Sequence, residues 1–303
     1  MHADQFCPKI DNVSPGDEMT AQRSPSARQR RLAAVLRGLR KEKGMSRETV
    51  AELMGCSAPT ITRIEAATVG ARIADVTMLL EIYEVPAHTR EVLLQLARDA
   101  RKRGWWDKLS DTIPEYFQSY VGLEEDASSI TGYETEYVPG LFQTEEYARA
   151  IMSAEPALPS EEELALSLAI RMKRQEVLKS AYPPEMWMVL NEAVIRRAVG
   201  EEGLMHRQLR HLHELSSQNS INIQVLPFSS GAHPAMNGGF SILKFPKLSD
   251  PDVVYLEYWR GSIYLEEPHD VNAYNRLFDH LRARALGPDQ TRRLIEQVTG
   301  GTR

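Results

Sequence analysis

Three groups of residues in this chain have the types that bind metals or move protons. His206, His211 and His213 lie close together, and imidazole is a common zinc ligand. On a helix, however, His211 and His213 diverge, and at most His206 and His213 share a face. They read as surface histidines. Glu192, Glu257, Glu266 and Glu267 offer carboxylates for acid–base work, but no nucleophile or metal-ligand spacing joins them. The stretch Gly231–Gly239 is rich in glycine and contains His233. A phosphate-cradling loop would continue into Lys-Ser or Lys-Thr, and this one does not, so a hairpin or mobile loop is expected. The residue types therefore assign no catalytic residue, no metal site and no cofactor.

A different chemistry, recognition of base edges, fits the segment from Met45 to Glu65. Two short helices are expected to meet across Gly55-Cys56-Ser57, and the small Ala51 lets the second approach the first. Ile61 and Ile64 point inward from the second helix, which leaves Ala58, Pro59, Thr62 and Arg63 on its outer side. A helix presented this way fits the major groove, where all four base pairs are distinguishable. Charge supports the placement. The whole chain has a formal net charge of −6, but residues 21–104 carry 16 Lys+Arg against 9 Asp+Glu, whereas residues 105–303 carry 19 against 29. A basic first half joined to an acidic second half suits phosphate contact by the first alone.

These residues resemble the Xre family of helix-turn-helix repressors, which includes phage repressors, over about residues 30–84. The small residue, the glycine, the apolar positions and the ending Ile61-Thr62-Arg63-Ile64-Glu65 fall at matching places. The resemblance carries contact with double-stranded operator DNA onto Arg47, Ala58, Pro59, Thr62 and Arg63, with Ser57 and Thr60 in the same first turn. It also implies a buried ion pair between Arg40 and Glu65. Glutamine is frequent in the family where this chain has Arg47 and Ala58, so base preference does not transfer from relatives.

Such residues need helices to carry them. Leu32, Val35, Leu36 and Leu39 recur at three and four positions, which predicts a helix over 26–43 that Gly44 ends. Ser46 caps the next, with Glu48 in its first turn and Val50, Ala51, Leu53 and Met54 as its buried side. Ser57 caps the third, where Pro59 is tolerated in the first turn. Two further helices fit 73–84 and 87–102, separated by Pro86. The run Arg101-Lys102-Arg103-Gly104-Trp105-Trp106 reads as a solvated helix end followed by packing aromatics, and marks a domain boundary. The expected organisation is a flexible tail over 1–24, a DNA-binding domain over 25–104 and a second domain over 105–303. A chain of 303 residues suits two domains of about 100–200 residues each.

The second domain mixes two periods. Helices fit 123–131, 143–153, 160–179, 192–199, 202–217, 269–285 and 289–298; strands fit 186–190, 221–227, 239–245, 252–258 and 262–265. Ile221, Ile223 and Val225 alternate with Asn222 and Gln224, as in a half-buried strand. Strands clustered between helices predict an α+β domain behind an all-α head. Tyr255, Tyr258, Trp259 and Tyr264 fall on the expected strands as core and rim, with a pocket lining as the alternative. No apolar run approaches the roughly 18 residues of a membrane span, the N-terminus lacks the order of a secretion signal, and Cys7 and Cys56 are the only cysteines. A soluble cytoplasmic protein is expected.

Several phrases here are distinctive, among them Val138-Pro139-Gly140-Leu141-Phe142-Gln143-Thr144-Glu145, Arg174-Gln175, Asn191-Glu192-Ala193-Val194-Ile195-Arg196 and Val254-Tyr255-Leu256-Glu257. They resemble the domain of unknown function that follows an Xre helix-turn-helix in antitoxin-like regulators of high-GC bacteria. The resemblance implies a non-enzymatic regulator paired with a small protein encoded nearby. On that expectation the partner surface is the strand-rich part, 221–265, with His233, Tyr255, Tyr258, Trp259 and Tyr264, and Trp105 and Trp106 transmit binding to the head. A homodimer reading two half-sites is also expected. Two rivals stand beside this reading. A pocket with convergent polar groups favours a small-molecule sensor, and a tight Glu–His–Tyr or Glu–Arg constellation in a cleft favours an enzyme.

Overall fold

The computed structural model describes residues 27–100, 113, 115–155, 160–246, 251–259 and 261–301. The expected tail, the 104/105 boundary, Trp105 and Trp106 lie outside them. The first half is helical. Helix α1 (Ala27–Glu42) buries Leu32, Ala33 and Leu36, which lie on one face, and a left-handed Gly44 follows it. Helices α2 (Arg47–Met54), α3 (Ala58–Glu65), α4 (Ile73–Ile82) and α5 (Ala87–Asp99) close around one core of Val50, Ala51, Ile61, Ile64, Leu79, Leu80, Tyr83 and Leu93. Leu53, expected on the buried side of α2, is exposed. An eight-residue helix has room for only two turns, and Val50 and Ala51 already fill the face toward α3.

The second half is α+β. Helix α6 (Glu115–Asp126) precedes strand β1 (Ser129–Glu134), so the helix expected over 123–131 starts earlier and gives way to a strand. Helices α7 (Glu145–Met152) and α8 (Glu161–Arg174) lead to β2 (Glu185–Asn191), the short α9 (Glu192–Arg196), α10 (Leu204–Leu215) and β3 (Ile221–Leu226). Strands β4 (Phe240–Lys244), β5 (Val253–Tyr258) and β6 (Gly261–Leu265) follow, then α11 (Pro268–Arg284) and α12 (Pro288–Gly301). The six strands form one sheet in the order β3-β2-β1-β4-β5-β6. β1 pairs in parallel with β2, and β2 with β3; the other pairings are antiparallel.

Alternation along the strands feeds two cores. Met186, Met188, Leu190, Ile221, Ile223 and Val225 face one apolar cluster with α10 and α12. Val189, Leu226, Phe240, Ile242 and Val254 face another, with Val271, Phe278 and Leu281 of α11. Helices thus cover both faces of the sheet, and β3 is not half-buried as its alternation predicts. Gln224 is buried under α11, where it accepts from Trp187 Nε1 (2.7 Å) and donates to the Leu286 carbonyl (2.9 Å). The outer edge of β3 is also occupied. Val225 N–H donates to Thr291 Oγ1 (3.0 Å), and the Val225 carbonyl accepts from Leu286 N–H (2.9 Å).

Helix α1 joins the two halves. Arg28 grips Asp126 with two hydrogen bonds of 2.9 Å, and Arg37 lies 3.1 Å from Glu267. Between them the Arg30 guanidinium stacks over the Tyr264 ring at 4.3 Å, and Arg31 over Phe245 at 5.4 Å.

Candidate nucleic-acid interface and second-domain cavity

Ser46 starts α2 by accepting from Thr49 N–H (3.1 Å), and Gly55 ends it with φ +66°, a left-handed conformation that side chains resist. Cys56 N–H then bonds back to Ala51 carbonyl (2.9 Å), which fixes the turn into α3. Ser57 occupies the capping position of α3, but its hydroxyl bonds the Thr60 hydroxyl (3.0 Å) rather than a backbone amide. Ile61 and Ile64 are buried, while Ser57, Pro59, Thr62 and Arg63 are exposed and Ala58 and Thr60 half-buried. The assigned reading surface therefore lies on one outward side of α3.

A three-residue ionic lock holds α3 in place. Arg40 reaches Glu65 with two hydrogen bonds, Nε to Oε1 at 2.6 Å and a terminal nitrogen to Oε2 at 3.1 Å. Arg40 also donates to the Met45 carbonyl (2.7 Å), so it ties α1, the turn before α2 and α3 together. Arg47 adds a third bond to Glu65 Oε2 (3.0 Å). Burial opposes charge on Glu65, yet the two guanidiniums win and hold its carboxyl below the usual carboxylate range. Arg47, assigned to DNA contact, is thus partly engaged within the head. Its side chain is still 41% exposed, and its bond to Glu65 uses only Nε.

The second site is a cavity of about 660 Å³ between α6, α8 and the ends of β1, β4 and β5. Its floor is aromatic: Phe117 stacks on Tyr120 (5.3 Å between centroids), and Tyr120 on Tyr255 (4.2 Å). Arg174 is paired, with two 2.8 Å bonds to the buried Glu124 and its guanidinium over Phe117. Three other charged groups that line the cavity are not. Arg171 donates to Gln143 Oε1 (2.8 Å), but its Nε is buried without a partner. Glu134 and Glu257 form no ion pair among the described residues. Glu134 is half-buried, and Glu257, which also lines the cavity, is solvent-exposed. Enclosure pushes the Glu134 carboxyl up to about 8, with help from Glu257, and raises Glu257 as well. The same enclosure lowers Arg171 to about 10.

Two family models match the chain: a helix-turn-helix domain over residues 31–93, and the domain of unknown function DUF5753 over residues 117–297. The chain belongs to the DUF5753 family. No curated protein and no solved structure matches it. The helix-turn-helix match covers α2 and α3 with the Arg40–Glu65–Arg47 lock, and the DUF5753 domain contains the whole cavity apart from Ile113.

The residues singled out in the DUF5753 domain separate in space. Tyr255 is buried at the cavity floor, and its hydroxyl sits beside the Glu257 carboxyl without a well-formed hydrogen bond. Tyr264 packs on Tyr255 (5.1 Å) under Arg30. Neither presents its ring to a partner, because β5 and β6 turn those positions toward α6 and α1. Tyr258 and Trp259 are exposed, and Trp259 Nε1 approaches Glu155 at the cavity rim (3.5 Å). His233 stands on the other side of the sheet, 3.3 Å from the Tyr133 hydroxyl. His213 pairs with Glu296 (2.9 Å), and no metal-binding cluster occurs among the described residues. Glu192 caps a turn by accepting from Phe228 N–H (2.7 Å), and Glu266 and Glu267 face α1 of the head. Glu134 and Arg171 escape sequence reasoning. The only hint was Arg174-Gln175: Gln175 bonds the carbonyls of Gly140 and Gln143 (3.0 and 2.8 Å) and so fixes α8 against the turn that positions Arg171.

Proposed function

We propose that the protein is a sequence-specific transcriptional regulator that reads its operator with α3. The observation that carries this is the lock at Glu65. It fixes α3 from behind, while Thr62 and Arg63 stay exposed in front. The protein binds as a homodimer, since one head spans too few base pairs for genomic selectivity and two heads on half-sites about 34–36 Å apart supply it. The test is operator selection with the full chain, followed by binding of variants across a salt series. Arg63→Ala changes base preference. Arg47→Ala weakens binding across all sequences and lowers the salt slope by about one. Wild-type binding by both variants, or a monomer on DNA by sedimentation, overturns the reading.

The second domain sets the activity of the head. The antitoxin-like form of this reading places a small protein on the exposed Tyr258, Trp259 and Ile263 of the β5–β6 hairpin. The cavity favours a small molecule instead, because its polar groups converge on open space and its volume is within the usual range for ligand sites, about 300–1,000 Å³. The contacts from Tyr120 through Tyr255 and Tyr264 to Arg30 give either effector a packed route to α1. A tenfold change in operator affinity requires about 1.4 kcal/mol of coupling along it. Tyr264→Ala abolishes effector response and keeps operator binding; an unchanged response removes this route.

A further inference from the structure

We infer that the DUF5753 cavity binds a small zwitterion, its ammonium held by Glu134 and Glu257 and its carboxylate by Arg171. This rests on the small-molecule form of the proposed function. The argument is one of unmet partners. Arg171 Nε is buried without a hydrogen-bond partner, and a buried donor left unpaired costs free energy that a bound acceptor recovers. Elsewhere this chain pairs such groups: Arg174 has Glu124 and Glu65 has two arginines. In the cavity, two carboxyls and a guanidinium face the same space without pairing with one another. Packing accounts for their separation. Glu134 ends β1 and lies against Gly239, where a Cβ would come within 2.8 Å of the Tyr133 carbonyl and 3.5 Å of Glu134 Oε2. Arg171 is held away on α8 by Gln143. A ligand with one charge of each sign satisfies all three groups, and the floor of Phe117, Tyr120 and Tyr255 takes an apolar body beside it.

An ammonium alone would leave Arg171 unmet, and a carboxylate alone would leave Glu134 and Glu257 facing each other. Arg174 lines the same cavity, but its charge is already balanced by the two bonds to Glu124, which makes Arg171 the stronger anchor for a carboxylate. Proton movement distinguishes a ligand beside Glu134 from one bound elsewhere. The groups facing Glu134 are Glu257 from β5, Arg171 and Arg174 from α8, and Tyr137 from the segment after β1. At neutral pH the Glu134 carboxyl, raised by enclosure and by Glu257, holds its proton. An arriving ammonium reverses that preference, so binding releases a proton.

The experiment is calorimetric titration of the full chain with a panel of free amino acids and, for each binder, the amine lacking the carboxylate and the acid lacking the amine. At least one amino acid is expected to bind, with both truncated analogues weaker by about tenfold or more. Heats measured in buffers of different ionisation enthalpy report proton release near pH 7. E134Q abolishes that release and lowers affinity, R171M lowers affinity, and R171K restores part of it, all with the wild-type circular dichroism spectrum. No binding by any amino acid at ~10 mM overturns the inference. So does equal binding by the amine alone, or by E134Q and R171M. Operator binding on the same preparations separates the two readings. Zwitterion binding without any effect on the operator leaves the site standing and removes the sensor; operator binding without zwitterion binding does the reverse.

Discussion

The two halves of this protein treat charge in opposite ways. In the head, Glu65 is enclosed by two guanidiniums and every one of these groups has its partner. In the cavity, Glu134, Glu257 and Arg171 share one space and stay apart. Paired charges make a rigid frame, because moving either partner exposes the other to an unfavourable medium. Unpaired charges store a preference for something not yet present. The contrast fits the proposed division of shape-keeping in the head and reception in the DUF5753 domain.

The sharpest way to break the comparison is to unpair the head. Glu65→Ala leaves Arg40 and Arg47 facing each other and should destabilise the head by about 3 kcal/mol, the lower end for a buried pair because Arg47 is partly exposed. Denaturant unfolding followed by circular dichroism measures it. Because the folded head holds the Glu65 carboxyl below its ordinary range, this stability is present above the unfolded pKa and drains away as pH falls through the folded value. A loss under 1 kcal/mol would mean that the lock does not frame α3.

Arg63→Ala leaves the frame intact and removes only an outward group. It should cost about 1–3 kcal/mol at one base pair of the operator and little elsewhere, measured by competition with single-base operator variants. A uniform loss across all variants would reassign Arg63 to phosphate.

Glu134→Gln tests the opposite half, and its sign is reversed. The folded carboxyl is raised to about 8, so the native state binds a proton that the unfolded chain gives up. Wild-type stability should therefore fall as pH rises from the ordinary carboxylate range to about 8, then level off. The glutamine variant should flatten that slope in thermal unfolding scans, by a modest amount because Glu134 is only half-buried. Equal slopes would place Glu134 in a better-solvated setting than the cavity implies.

The smallest effect separates two serines that look alike in sequence. Ser46 accepts a backbone amide and Ser57 does not. Ser46→Ala should cost about 1 kcal/mol, and Ser57→Ala about 0.5 kcal/mol or less. Equal losses in thermal unfolding would show that the Ser57–Thr60 hydroxyl pair does the work of a cap.

The same contrast explains what the sequence made legible. Helices α1 to α5 are short-range objects whose stops, such as Gly44 and Gly55, lie next to them in the chain, so the head could be read nearly residue by residue. β1 could not. Its Gly132 weakens a strand pattern, yet it is required there, since a Cβ would meet the Phe240 carbonyl at 2.7 Å and Met188 at 2.9 Å. The helical period of Leu123 and its neighbours then carried the expected helix on into β1. Five other strands were legible from apolar runs bounded by turns, but the face each turned inward was not. Tyr255, read as core or rim with a pocket lining as the alternative, is buried and lines the cavity, which gathers Glu134, Arg171 and Glu257 from three distant segments. No local period announces such a gathering, because it depends on strand order, which sets β4 beside β1 although two strands and four helices lie between them in the chain.

One detail of the sheet bears on how the protein survives at high concentration. An open strand edge is a template on which another chain can add itself, and successive additions end in fibrils. β3 is the outermost strand on its side of the sheet, and four of its six residues are apolar. Yet Thr291 and Leu286 already occupy the hydrogen-bonding groups of Val225. The segment joining α11 to α12 is therefore a guard rail as well as a connection. Thr291→Val, which keeps the shape and removes the acceptor, unlatches one side of that rail, and seeded aggregation is where its loss would first be felt.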